Sequence, residues 1–295
     1  MSASSFRHAR RSLAVAVALL AACGGHEPAP RPAAAADDAA RPVPRRIVSL
    51  NPATTELLFA IGAGDRVIGR SRWDQWPAAA RAVPELGDAI RPGVERVLAA
   101  RPDLVVLYAS ADNRAAAEAL RKAGVHVVSL RTDRIADLEE AVVRLGALTA
   151  RAEQARAAVD TLRRSLDAVR ARVAGAARPS VFVHVWDAPL ITIGAASYLS
   201  ELIEVAGGRN AYADLEAPSP QVAFEDLARR DPDVILAGPR AIARLSADPA
   251  WRALRAVRTG RLVALDTTLM GRPSLRLGEA ARALARQLHP DRAMP

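Results

Sequence analysis

The side chains able to do chemistry are few, and their spacing excludes more than it offers. Five histidines, His8, His26, His126, His184 and His289, lack the spacing of metal ligands, so no metal site is expected. A single cysteine, Cys23, rules out an internal disulfide, a cysteine zinc site and a protein-held iron–sulfur cluster. No Gly-x-Ser-x-Gly, P-loop or Gly-x-Gly-x-x-Gly stands at a strand–helix junction, and no Ser/His/Asp set is found, so catalysis is not expected. What remains is a set of flat rings. The chain has only eleven aromatics, four Trp, three Tyr and four Phe, and Trp73, Trp76, Tyr108 and Trp186 all fall at strand ends or in the loops after them. Rings placed there suit a flat ligand held by apolar area and stacking. Packing beneath Pro77 accounts equally well for Trp76, and Trp251, on a late helix, reads as core. Asn51, at the carboxyl end of the first strand, is a candidate for a polar contact, although helix capping alone explains it. His184, two residues from Trp186, is the histidine best placed to meet a ligand.

These residues need elements to hold them. From Arg45 onward short apolar strands alternate with helical patterns, the signature of an α/β fold. Strands are expected at Ile47 to Leu50, Leu104 to Tyr108, His126 to Leu130, Ser180 to Trp186, Val234 to Ala237 and Leu262 to Leu265. Asn51-Pro52 opens a helix as cap and first-turn proline. The stretch from Glu95 to Leu107 recurs 130 residues later from Glu225 to Ala237: a glutamate starts a short helix, Pro-Asp stops it, and a buried strand follows. Thr55-Glu56-Leu57-Leu58 before Gly62-Ala63-Gly64 is echoed by Ser200-Glu201-Leu202-Ile203 before Gly207-Gly208, so both halves share one element order. Between them an unbroken helix is expected from about Ala150 to Ala174. Its stripe Leu148, Ala152, Ala155, Val159, Leu162, Leu166, Val169, Val173 reads as a rigid strut along both lobes.

The chain's 295 residues, 51% hydrophobic, suit one or two folded domains. Its charge of +9 comes from 41 basic against 32 acidic residues, and only Lys122 among the basic ones is lysine. No basic run is interleaved with aromatics, so nucleic-acid binding is not expected. Arg7-His8-Ala9-Arg10-Arg11 is followed by ten apolar residues, Leu13 to Ala22. Ten residues rise about 15 Å as a helix, half a bilayer core, so residues 1–22 read as a signal segment rather than a span. Leu20-Ala21-Ala22-Cys23 resembles the lipobox of bacterial lipoproteins, which implies lipidation of Cys23 and a membrane anchor. Residues 23–44 read as a Pro/Ala-rich tether.

Together with these features, Arg46 to Glu56, Gly69 to Pro77, Val94-Glu95 through Leu107 and Gly207-Gly208-Arg209-Asn210 resemble the helical-backbone metal-chelate-binding proteins, the class III solute receptors of ABC importers. The likeness runs from about Arg45 to Leu288. It implies two α/β lobes with central sheets, residues 45–149 and 177–295, bridged by one long helix over 150–176, with a ligand in the cleft and little lobe movement. It also implies a monomer on the outer face of the membrane, with no cofactor of its own. The partner would be an ABC permease dimer with its ATPase subunits. The expected ligand is cobalamin or a related corrinoid, with haem or a ferric siderophore as the alternative. Tyr108 falls where a corrinoid-binding member carries a pocket tryptophan, and Arg272 where it carries a cleft arginine. Glu95 and Glu225 match the glutamates that dock each lobe onto a permease subunit. Each also complements its own helix dipole.

Overall fold

The computed structural model describes residues 41–292. Cys23, the signal segment and most of the tether lie outside the described residues. Five parallel strands, β1 (Ile47–Ser49), β2 (Val67–Ser71), β3 (Glu85–Gly87), β4 (Leu104–Tyr108) and β5 (His126–Leu130), form a sheet in the order β3-β2-β1-β4-β5. A second parallel sheet, ordered β11-β10-β6-β9, is built from β6 (Ser180–His184), β9 (Arg209–Asn210), β10 (Val234–Ala237) and β11 (Leu262–Ala264). The expected strand to Trp186 stops at His184, and Trp186 opens a two-stranded hairpin of β7 (Trp186–Asp187) and β8 (Leu190–Ile191).

The repeated motif is a physical device in both lobes. Helices Val94–Ala99 and Phe224–Arg230 run out into Arg101 and Asp231, which sit at φ +47° and +36°, each followed by Pro and Asp. Left-handed backbone on a residue other than glycine costs on the order of 1–3 kcal/mol, so something must hold it. In the first lobe Asp103 Oδ2 accepts the N–H groups of Arg45 and Arg46, both at 2.9 Å. In the second, Asp233 Oδ2 accepts the Ser180 N–H at 2.7 Å and its hydroxyl at 2.8 Å. Each turn is thereby stapled to the start of its lobe's first strand.

The bridging helix differs from the sequence reading at its start. Leu148 belongs to the preceding helix, Ile135–Leu148; the chain turns at Ala150 (φ +53°), and the strut itself is Ala152–Val173. No glycine or proline marks that turn, because an alanine takes the left-handed position. The strut's 22 residues span about 33 Å, and its buried face is Ala155, Val159, Leu162, Leu166, Val169 and Val173. Gly146 lets the two helices meet: a Cβ there would lie 2.4 Å from that of Ala155. One apolar core runs from Ile47 through this face to Leu288, so both lobes share it. Two smaller cores back the outer faces of the sheets: Val48, Val105 and Leu120 in one, Phe182, Tyr212 and Trp251 in the other. Trp251 is core, as its position on a late helix suggested.

Candidate ligand cleft

In both sheets the strand order reverses beside the first strand, β1 lying between β2 and β4, and β6 between β9 and β10. Crevices open at the carboxyl ends of such switch points. Asn51, Trp73 and Tyr108 lie at or just past the ends of β1, β2 and β4, and Trp186 just past β6. The Tyr198 N–H, in the second lobe, donates to the carbonyl of Asp133, just past β5, at 2.5 Å. The two carboxyl edges therefore face one another.

The second lobe's wall carries a hollow of about 750 Å³ lined by His184, Trp186, Tyr198, Arg240, Arg244 and Met270 among others. Trp186 is 59% exposed. Beneath it the buried His184 places Nε2 at 2.7 Å from Asp187 Oδ1, and Arg244 donates to the same oxygen. Burial pushes the Asp187 carboxyl up, but His184 and Arg244 outweigh it, so its pKa lies below the ordinary value. His184 is thus engaged by Asp187 and stands edge-on to Trp251 at 5.6 Å. Arg240 is exposed and forms no ion pair among the described residues.

On the first lobe Trp73 and Trp76 are 57% and 43% exposed, splayed from a loop whose centre, Asp74, is fully buried. Asp74 Oδ2 accepts the Ser71 N–H at 2.5 Å, and the Ser71 hydroxyl accepts the Trp73 N–H at 3.2 Å. Burial raises the Asp74 carboxyl above its ordinary pKa, against hydrogen bonds from Ser71 and Thr55. Tyr108 is half-buried and its hydroxyl donates to Asp133; burial and that carboxylate together raise the phenol.

The candidates are not all gathered in one hollow. Arg276, from the second lobe, lies over the Trp76 ring at 4.9 Å, so this ring sits at the seam between lobes. Arg272 is there too: its Nε donates to Glu56 Oε2 at 3.1 Å, tying it to a carboxylate of the first lobe. Burial raises the Glu56 pKa despite the pull of Arg272. Asn51 is buried, spends its oxygen on the Ala53 N–H at 3.1 Å, and leaves Nδ2 unpartnered. Capping is what the structure assigns it. The sequence reading missed Glu56, Tyr198, Arg240, Arg244 and Arg276. Only Glu56 carried a signal, the one charged residue in the helical run Pro52–Ala60.

Glu95 and Glu225 are exposed in the first turns of their helices, and neither joins an ion pair among the described residues. Each helix runs back into its strand through a short turn, so each glutamate stands near the carboxyl edge of its own sheet. Among the described residues no group of His, Cys, Asp and Glu could hold a metal ion, and no helix is long and apolar enough to cross a membrane.

Two parallel sheets, a strut and facing carboxyl edges are the frame of a solute receptor, and the sequence profile described as "Periplasmic binding protein" matches residues 47–269. The chain belongs to the periplasmic binding protein family. This binding protein is 28% identical over 251 residues to the vitamin B12-binding protein of Vibrio cholerae, covering 84% of this chain and 91% of that one. Its fold matches the crystal structure of the periplasmic vitamin B12 binding protein of Vibrio cholerae with a TM-score of 0.75 and 26% identity, over 84% of this chain and 98% of that one. A periplasmic heme binding protein from Pseudomonas aeruginosa gives a TM-score of 0.76 at 27% identity, covering 85% and 95%. The family is one of non-enzymatic receptors that deliver ligand to ABC permeases outside the cytoplasm, as the sequence resemblance implied.

Proposed function

We propose that this periplasmic binding protein is a lipid-anchored receptor, held through Cys23, that captures cobalamin or a related corrinoid and hands it to an ABC importer. The observation that carries the ligand choice is the state of the cleft's metal-binding groups. The Tyr108 hydroxyl is committed to Asp133, the Tyr198 hydroxyl to the Met270 carbonyl at 2.7 Å, and His184 Nε2 to Asp187. Haem iron takes a protein axial ligand, and these donors are already engaged within the protein. A corrinoid brings its own axial groups and asks only for flat apolar surface, which the exposed rings of Trp73 on the first lobe and Trp186 on the second would offer. The similarity to vitamin B12-binding proteins over most of both chains supports the same choice. Glu95 and Glu225 would seat the two lobes on the two permease subunits, where charge pairs set register more than affinity.

Intrinsic tryptophan fluorescence, titrated separately with cyanocobalamin, haemin and ferric siderophores, tests the reading. Saturable quenching by cyanocobalamin is expected, weakened roughly tenfold or more by Trp186→Ala, given about 1.5–3 kcal/mol for a buried ring face. No response to micromolar cobalamin, with quenching by haemin, would transfer the assignment to haem.

A further inference from the structure

The first N–H groups of a helix have no partner within it and are left to solvent or to a cap. Two helices here take that partner from the opposite lobe. Glu201, in the second-lobe helix Tyr198–Val205, accepts the Ile135 N–H with Oε2 at 2.7 Å, and Ile135 is the first residue of the first-lobe helix Ile135–Leu148. In return the Tyr198 N–H, first in its own helix, donates to the Asp133 carbonyl at 2.5 Å. Arg134 closes the exchange, with Nε and Nη2 at 3.1 and 3.0 Å from Glu201 Oε1. Each lobe thus supplies what the other's helix lacks, within residues 133–135 and 198–201. The same short segments reach the cleft from both sides. Asp133 also holds the Tyr108 hydroxyl, and the Tyr198 side chain lines the second lobe's hollow.

We propose that this reciprocal pair of caps is a clasp that fixes the width of the cleft and governs how fast a bound ligand leaves, with Glu201 as the positioning residue. A cap is local when its loss frees one amide. A clasp differs: removing one strand of it loosens the other, because both depend on the same distance between lobes. Lobes free to separate by even an ångström would lose the 2.5 Å contact of Tyr198 as well as that of Ile135.

Residue-resolved hydrogen exchange on the purified full chain reads both amides at once. In the unaltered protein the Ile135 and Tyr198 amides should exchange far more slowly than first-turn amides elsewhere, such as Glu95. Glu201→Ala should speed exchange at Ile135 and, at least tenfold, at Tyr198, whose own acceptor is untouched. Glu201→Gln retains an acceptor for Ile135 but loses the charge facing Arg134, and should give the same coupled change in smaller measure; it decides the question if the alanine variant does not fold. Unchanged exchange at Tyr198 in a folded variant would overturn the clasp and leave two independent caps. A second arm rests on the corrinoid reading: dissociation of cyanocobalamin, followed by stopped-flow recovery of tryptophan fluorescence, should quicken at least threefold in Glu201→Ala. Binding with an unchanged off-rate would overturn the clasp's hold on the ligand, whereas no cyanocobalamin binding by either protein would count against the corrinoid and leave the exchange result to stand.

Discussion

Asp74 concentrates the cost of presenting two tryptophans to solvent. It is fully buried, one carboxylate oxygen has no partner, and burial raises its pKa. A carboxyl group whose folded pKa exceeds its unfolded one favours the fold in its protonated state; that contribution is complete below the ordinary carboxylate value and fades as pH climbs through the raised one. Asp74→Asn keeps an acceptor for the Ser71 N–H and cannot ionise. Its melting temperature relative to the unaltered protein should therefore be highest near pH 8 and fall toward pH 4, as thermal melts across that range would register. A pH-independent difference would mean that Asp74 does not titrate against folding. The loop's role in binding has a separate reading, since Asp74→Asn should leave Trp73 as quenchable as before.

At the scale of elements, the twin turns at Arg101-Pro102-Asp103 and Asp231-Pro232-Asp233 tie helix to strand in each lobe. Burial pushes the Asp233 carboxyl up, but the Ser180 N–H and hydroxyl, with Arg255 and Arg209, hold it below its ordinary pKa. Its contribution is accordingly present at neutral pH and lost only as acid takes the solution through that lowered value. Asp233→Ala removes both Ser180 bonds and should lower stability by about 1–3 kcal/mol at pH 7, measurable as a shift of the urea midpoint at constant slope. These turns were legible because proline and aspartate at fixed offsets from a glutamate leave a repeat that can be counted. The apolar stripe of Val159, Leu162, Leu166 and Val169 was legible for the same kind of reason. The start of the strut was not, because Ala150 carries no local sign of a left-handed turn; packing of Gly146 against Ala155 imposes it. Strands β3 and β9, three and two residues long, escape notice because their pairing partners, rather than their composition, make them strands. The seam hid for another reason: Glu56 and Arg272 are 216 residues apart, and only the closed fold makes them neighbours.

For the molecule as a whole, the docking role proposed for Glu95 and Glu225, one exposed carboxylate on each lobe, predicts a two-point landing. Glu95→Ala combined with Glu225→Ala should leave ligand titrations unaltered while reducing association with the permease in proteoliposomes at least tenfold, and unchanged transport would remove the docking role. The site was less legible at this scale than the fold: Trp73 and Trp186 stand exposed, one on each lobe, whereas Trp76 and Arg272 are drawn into the seam by Arg276 and Glu56, partners that no local pattern announces. The continuous apolar core beneath both sheets has a thermodynamic corollary. Neither half can melt while the other keeps its side of the shared helix covered, so a calorimetric scan should trace one endotherm whose van 't Hoff and calorimetric enthalpies agree, and half-chains expressed separately should stay molten until mixed.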